Sequence, residues 1–180
     1  MRLFLAIALD TEVLAMLELL TRSLRSADDN LRWTSPETWH ITLQFIGETS
    51  IEKYRCIAHH LGAIKSPRVP IWLHGTGCFD RAGVFFAGVD VSPELRELER
   101  LVVAATSECG VEDEERAYHP HVTLARAKGE NRMRDLRKLK PRAKGYVEFP
   151  AFIAREFLLF QSFLGSGGAR HEIRERFPLG

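Results

Sequence analysis

Trp39-His40-Ile41-Thr42-Leu43-Gln44-Phe45 returns later in the chain as Pro120-His121-Val122-Thr123-Leu124-Ala125-Arg126. Each copy reads His-x-Thr-Leu inside a short β-prone run. Successive side chains of a strand alternate faces, so His40 and Thr42 share one face and Ile41 and Leu43 the other. His121 and Thr123 stand in the same relation to Val122 and Leu124. Each strand therefore offers an imidazole beside a hydroxyl, backed by an apolar face that anchors it. Two such strands facing each other would make a site of two histidines and two threonines.

The flanking pattern repeats as well. Leu3 to Leu9 reads as a buried strand, and Asp10-Thr11-Glu12 caps a helix whose apolar stripe is Val13, Leu14, Leu17, Leu20 and Leu24. A turn from Arg32 to Pro36 leads into the His40 strand, which Gly47 closes. Ser50 then caps a second helix running to about Leu61. In the second half, Val84 to Val89 reads as a strand, and Asp90-Val91-Ser92-Pro93-Glu94 opens a helix with proline in its first turn. Leu95, Leu98, Val102 and Ala105 form that helix's stripe, and the acidic loop Glu112 to Glu115 precedes the His121 strand. Asp10 and Asp90 are 80 positions apart (90 − 10), and His40 and His121 are 81 apart (121 − 40). Strand, capped helix, loop and His-x-Thr-Leu strand follow in one order twice.

Between and after the repeats, Val69 to Phe79 reads as one strand, joined to Val84 by the hairpin Asp80 to Gly83. A basic segment spans Lys128 to Lys144. Two last strands, about Ala151 to Phe163 and Arg170 to Pro178, are joined by the loop Gly165 to Gly168. The expected fold class is α+β: one domain of two intertwined lobes, with approximate repeats 1–80 and 81–180. The lobes are related by a pseudo-twofold, each a mostly antiparallel sheet with helices on its outer face, and a cleft lies between them.

Composition is that of an ordinary globular chain, with 45% hydrophobic residues, 27% charged residues and a formal net charge of +1. Three scattered cysteines, Cys56, Cys78 and Cys109, have no C-x-x-C spacing, which argues against a disulfide framework or a thiolate zinc site and fits a reducing cytoplasm. The apolar opening Met1 to Leu9 stops at Asp10, too short to span a bilayer, and reads as a strand rather than a signal peptide. Nothing in the chain calls for a membrane, and a monomer is expected.

Two histidines suit general acid–base chemistry, because one imidazole can accept a proton while the other donates one. On opposite sides of a phosphodiester they would deprotonate a water and protonate the departing oxygen, with the threonine hydroxyls on the non-bridging oxygens. That scheme demands no metal and no cofactor.

His40-Ile41-Thr42-Leu43 and His121-Val122-Thr123-Leu124 together resemble the signature of the two-histidine (2H) phosphoesterase superfamily. The Phe4-Leu5-Ala6-Ile7 opening and His119-Pro120-His121-Val122-Thr123-Leu124-Ala125-Arg126 resemble its bacterial and archaeal RNA 2′,3′-cyclic phosphodiesterase branch, also called 2′-5′ RNA ligase. The likeness runs from Arg2 to about Pro178. It implies opening of a 2′,3′-cyclic phosphate on RNA or an oligonucleotide to a 2′-phosphate, with 2′-5′ ligation as the reverse and nucleotides as further ligands. By family pattern His40 is the proton donor and His121 the acceptor, and Thr42 and Thr123 hold phosphate. Arg126 matches a phosphate-contacting arginine, yet strict alternation places it opposite His121, so it serves only if the strand twists or bulges. Phe45, its counterpart, is the candidate for stacking a base.

Other readings stand beside this one. The chain would be a non-catalytic RNA-end-binding module if the site binds without turnover, or a metallohydrolase if His40, His119 and His121 hold an ion. His59, His60, His74 and His171 read as surface or packing residues, and burial is expected for Trp33, Trp39 and Trp72. The nine basic residues from Arg126 to Lys144 read as a solvated helix with its loops, or as an electrostatic guide for an RNA backbone.

Overall fold

A computed structural model describes residues 1–26, 30–112, 116–127, 129, 132–143, 148–165 and 168–180. The acidic residues at 113–115, the tip of the glycine-rich loop at 166–167, and 128, 130, 131 and 144 of the basic segment lie outside these. The elements follow the expected order with three differences. Strand β1 (Arg2–Ala8) leads to helix α1 (Thr11–Leu24), where the Asp10 carboxylate accepts from the Glu12 amide at 3.0 Å. The segment expected as a turn contains a short strand, β2 (Leu31–Trp33), and a 3₁₀ turn at Pro36–Thr38 before β3 (His40–Glu48). Helix α2 (Ile51–Gly62) follows, its Ser50 hydroxyl accepting from the Lys53 amide.

The expected single strand from Val69 to Phe79 is two, β4 (Val69–Ile71) and β5 (Leu73–Phe79), which break at exposed Trp72 and join different sheets. Next come β6 (Val84–Val89), α3 (Pro93–Ser107), capped by the Ser92 hydroxyl, β7 (His121–Ala127) and α4 (Arg132–Arg142). The last expected pair is likewise three strands, β8 (Phe152–Ala154), β9 (Glu156–Gly165) and β10 (Gly168–Pro178).

The architecture is α+β, with two four-stranded antiparallel sheets ordered β10-β9-β1-β3 and β2-β7-β6-β5, and a small β4-β8 pair. The sheets do not follow the halves of the sequence. The C-terminal strands β9 and β10 complete the sheet of β1 and β3, while β2 and β5 from the first half flank β7 and β6. One face of each sheet feeds a shared core: Leu3, Leu5, Ile7 and Ile41 from the first, Phe85, Ala87, Val89 and Val122 from the second. The helices add Val13 and Leu17, Ile57 and Leu61, and Leu95, Leu98 and Val102. Burying side chains of this size stabilises by about 1.5–3 kcal/mol each. No helix among the described residues is long and apolar enough to cross a membrane.

The cysteine reading requires correction. Cys56 on α2 and Cys109 just past α3 form a disulfide across 53 residues of sequence, their Cα atoms 5.9 Å apart; Cys78 takes no part in it. The packing of α2 against α3 brings the two together, a proximity that spacing along the chain does not reveal.

Candidate active site

The strand β3 starts at His40 because Trp39 ends the 3₁₀ turn, and β7 starts at His121 after Pro120 has removed a backbone donor. Both histidines are pinned alike. His40 Nδ1 lies 2.7 Å from the Thr38 carbonyl and His121 Nδ1 2.8 Å from the His119 carbonyl. A carbonyl only accepts, so Nδ1 carries the proton in each ring. Nε2 is left to take or give a proton according to the charge state.

Pairing register shows which side chains share the histidine face. In β1–β3, Ala8 faces His40, Ala6 faces Thr42, and Phe4 faces Phe45, because Leu43 is an extra residue between Ala6 and Leu5 in the register. In β6–β7 the same irregularity falls at Leu124: Gly88 faces His121, Phe86 faces Thr123, and Val84 faces Arg126. Each bulge restarts the alternation. Phe45 therefore joins His40 and Thr42 on one face, and Arg126 joins His121 and Thr123. Phe45 is 57% exposed, as an aromatic held for a ligand rather than for the core would be. The requirement that the Arg126 strand bulge is met by the geometry.

Electrostatics place the two histidines in one environment. Burial pushes His40 down from the ordinary imidazole value of 6.5 to about 4, and repulsion from His171, His121 and Arg126 adds to this, opposed by the Thr38 carbonyl. His121 is lowered mainly by burial, with His119 and Arg126 contributing. Arg126 thus contributes to lowering both imidazoles. Its own pKa is lowered by burial and by Arg32, which stands directly across from it on β2. Two guanidiniums side by side favour an anion between them.

Aromatic rings support each histidine. The His40 ring lies 4.7 Å from that of Phe4, and Phe4 stacks on Phe160 at 5.1 Å. The His121 ring lies 5.4 Å from Phe86 and 5.0 Å from Phe79, which stack on each other. Phe86 has room only because position 77 is glycine: a Cβ there would come within 2.5 Å of the Phe86 ring tip. Gly77→Ala is accordingly expected to displace the ring beneath His121 and lower turnover by up to about 10²-fold, the scale of a 1 Å misplacement. Unchanged kcat for Gly77→Ala would remove Phe86 as a positioning element.

Two residues of this face were missed from sequence. His171, on β10, stands opposite Ser162 and so on the side of Phe160, Phe4 and His40. Its ring is 5.3 Å from that of His40, nearly perpendicular, and its Nδ1 is buried with no hydrogen-bond partner. Arg32 is the other. No local pattern marks either, since each depends on a strand pairing distant in sequence. His74 pairs with Asp90 at 2.8 Å, and His59 packs on His60. Trp39 is buried and Trp33 half-buried, whereas Trp72 is exposed, against expectation. His119 is exposed beside His121, and among the described residues the donor atoms that converge as metal ligands are those of Cys56, His60 and Cys109, not of His40, His119 and His121. Of the basic segment, Arg134, Arg137, Lys138 and Arg142 are exposed on α4.

Known proteins resemble this chain in sequence and in fold. An RNA 2′,3′-cyclic phosphodiesterase of Aeropyrum pernix is 37% identical over 142 residues, covering 77% of this chain and 80% of that protein. One of Archaeoglobus fulgidus is 30% identical over 173 residues, covering 93% and 94%. The crystal structure of Escherichia coli LigT complexed with 3′-AMP superposes with a TM-score of 0.81 at 25% identity, covering 99% of this chain and 97% of that one. The same protein has been crystallised with ATP and with NADP+. Residues 15–156 match the profile of the 2′-5′ RNA ligase superfamily, and the chain belongs to that superfamily.

Proposed function

We propose that this protein is an RNA 2′,3′-cyclic phosphodiesterase that opens the cyclic phosphate to a 2′-phosphate with its two histidines as acid and base. The observation that carries the reading is the matched pair of pinned imidazoles, each with Nδ1 on a backbone carbonyl and Nε2 left for proton transfer. The sheet faces bearing them form the walls of a cleft about a pseudo-twofold, with the cyclic phosphate between.

In the reaction a water attacks phosphorus, and His121 Nε2 takes its proton. The P–O3′ bond breaks, and His40 Nε2 gives a proton to O3′. The products are a 2′-phosphomonoester and a free 3′-hydroxyl, and solvent returns both imidazoles to their starting states. Thr42 and Thr123 donate to the non-bridging oxygens, and Arg126 offsets the charge that gathers there. A 5′-hydroxyl in place of water gives a 2′-5′ phosphodiester by the same steps. Phe45 stacks on the base, Arg32 meets a neighbouring phosphate, and His171 lies against the ribose or phosphate on the His40 side. Nucleotides, which the E. coli relative binds, fit the same groups. The chemistry needs no metal, because both proton transfers come from side chains.

The test is hydrolysis of a short RNA ending in a 2′,3′-cyclic phosphate, with EDTA present, the products resolved as 2′- or 3′-phosphates. A 2′-phosphate from the wild type, but not from a His40→Ala/His121→Ala variant, is expected. Binding without turnover would establish an end-binding module instead, and activity that EDTA abolishes would establish a metal enzyme.

The pH profile of kcat/KM follows from the burial of both imidazoles. The requirement for one protonated and one unprotonated imidazole makes the profile bell-shaped, with one limb at each of the two pKa values. Both free-enzyme pKa values lie below the ordinary 6.5, so both limbs are expected below it, with an optimum in mildly acidic solution. Initial rates across pH check this; a plateau reaching about pH 8 would contradict it.

A further inference from the structure

Among the described residues, Cys56, His60 and Cys109 bring their sulfur and imidazole donor atoms within 4.8 Å of one another, each residue half-buried. Cys56 and His60 are four positions apart on α2, so one helix face carries both. Cys109 comes from the turn that ends α3, where the Gly110 carbonyl accepts from Lys53 Nζ at 2.6 Å. While the two sulfurs are bonded to each other, neither is available to a metal.

We propose that reduction of the Cys56–Cys109 disulfide creates a zinc site made by Cys56, His60 and Cys109, with the fourth position left to water. The site holds a disulfide or a metal ion, never both. A dithiol supplies the two electrons and two protons that cleave the S–S bond and leaves as its own disulfide; zinc then displaces both thiol protons to solvent. Two thiolates and an imidazole, with no carboxylate among them, select a borderline-soft ion such as zinc over magnesium or calcium. The convergence is preorganised, since α2 and α3 pack together and the Cα atoms of the cysteines are already 5.9 Å apart. The site also has a route to the catalytic strands: Thr106, three positions before Cys109, donates to the buried Gln44 side chain of β3 at 2.8 Å.

The experiment uses the full chain, reduced and freed of reductant without oxygen, and titrated with cobalt(II) as a spectroscopic stand-in before displacement by zinc. One equivalent is expected to bind, with thiolate-to-cobalt charge-transfer absorption and the visible bands of a tetrahedral ion. The oxidised protein is expected to show neither. His60→Ala should weaken zinc binding by at least about tenfold, the loss that even outer-shell changes bring. Zinc should shield Cys56 and Cys109, but not Cys78, from alkylation, as read by mass spectrometry of wild-type protein, which needs no variant to fold. Absence of the charge-transfer band, equal alkylation of all three cysteines, or an unchanged affinity in His60→Ala would each overturn the proposal.

Discussion

His121→Ala and His40→Ala are each expected to slow hydrolysis of a 2′,3′-cyclic phosphate by roughly 10²–10⁴-fold, the range for losing one positioned acid or base. The two should differ when the leaving oxygen is replaced by sulfur. A 3′-thiolate departs without being protonated, so a 3′-S-phosphorothiolate cyclic substrate makes the general acid dispensable. The variant lacking the acid should recover most of its rate on that substrate, while the variant lacking the base should not. With His40 as acid, the rescued variant is His40→Ala. Rescue of His121→Ala instead would exchange the roles while keeping the mechanism. Wild-type rates from either variant on the oxygen substrate would end it. The comparison is needed because the supports are so alike: an Nδ1 on a carbonyl two residues back in each, and Arg126 acting on both. The difference between them is depth, and His40 is the more strongly depressed.

Trp39→Ala is expected to lower stability by about 3–5 kcal/mol, as truncation of a fully packed tryptophan does. Trp39 is 5% exposed and immediately precedes His40. Its indole N–H donates to the Thr34 hydroxyl at 2.8 Å, and that hydroxyl lies 2.8 Å from the Thr123 carbonyl and 2.9 Å from that of Leu124. One side chain thereby ties the start of the first His-x-Thr strand to the backbone of the second. Trp39→Phe, which keeps most of the bulk and removes the N–H, should cost only about 0.5–1.5 kcal/mol, the net worth of a typical hydrogen bond. Urea unfolding of both variants measures this. An Ala variant within about 1 kcal/mol of wild type would show that the bridge does not couple the sheets.

Much of this arrangement is legible along the chain because it is local. The caps at Asp10, Ser50 and Ser92 are read from residues two or three positions away from the amides they accept from. The His-x-Thr faces follow from alternation alone. What escapes is whatever depends on pairing. Arg126 and Phe45 reach the histidine face only through bulges at Leu124 and Leu43, and a bulge needs a partner strand against which a residue can be extra. Arg32 matters because β2 settles beside β7, and His171 because β10 closes the first sheet. The strands expected from Val69 to Phe79 and from Ala151 to Phe163 break at Trp72 and at Arg155 to serve two sheets each, and no local signal names the partner strand that each piece meets. The Cys56–Cys109 bond belongs with these, made by helix packing across 53 residues.

Strand β1 is flanked by β3 on one side and β9 on the other. During synthesis, therefore, β1 keeps one edge open until Glu156–Gly165 has been made, about 150 residues later (156 − 8). Leu3, Leu5 and Ile7 spend that interval on an apolar strand with unpaired amides, the kind of edge that recruits other chains. The amino-terminal half is thus no foldable fragment that ripens early. Expression of residues 1–80 alone should yield aggregate, and native assembly has to wait for β9, a long-range closure of the slow, high-contact-order kind.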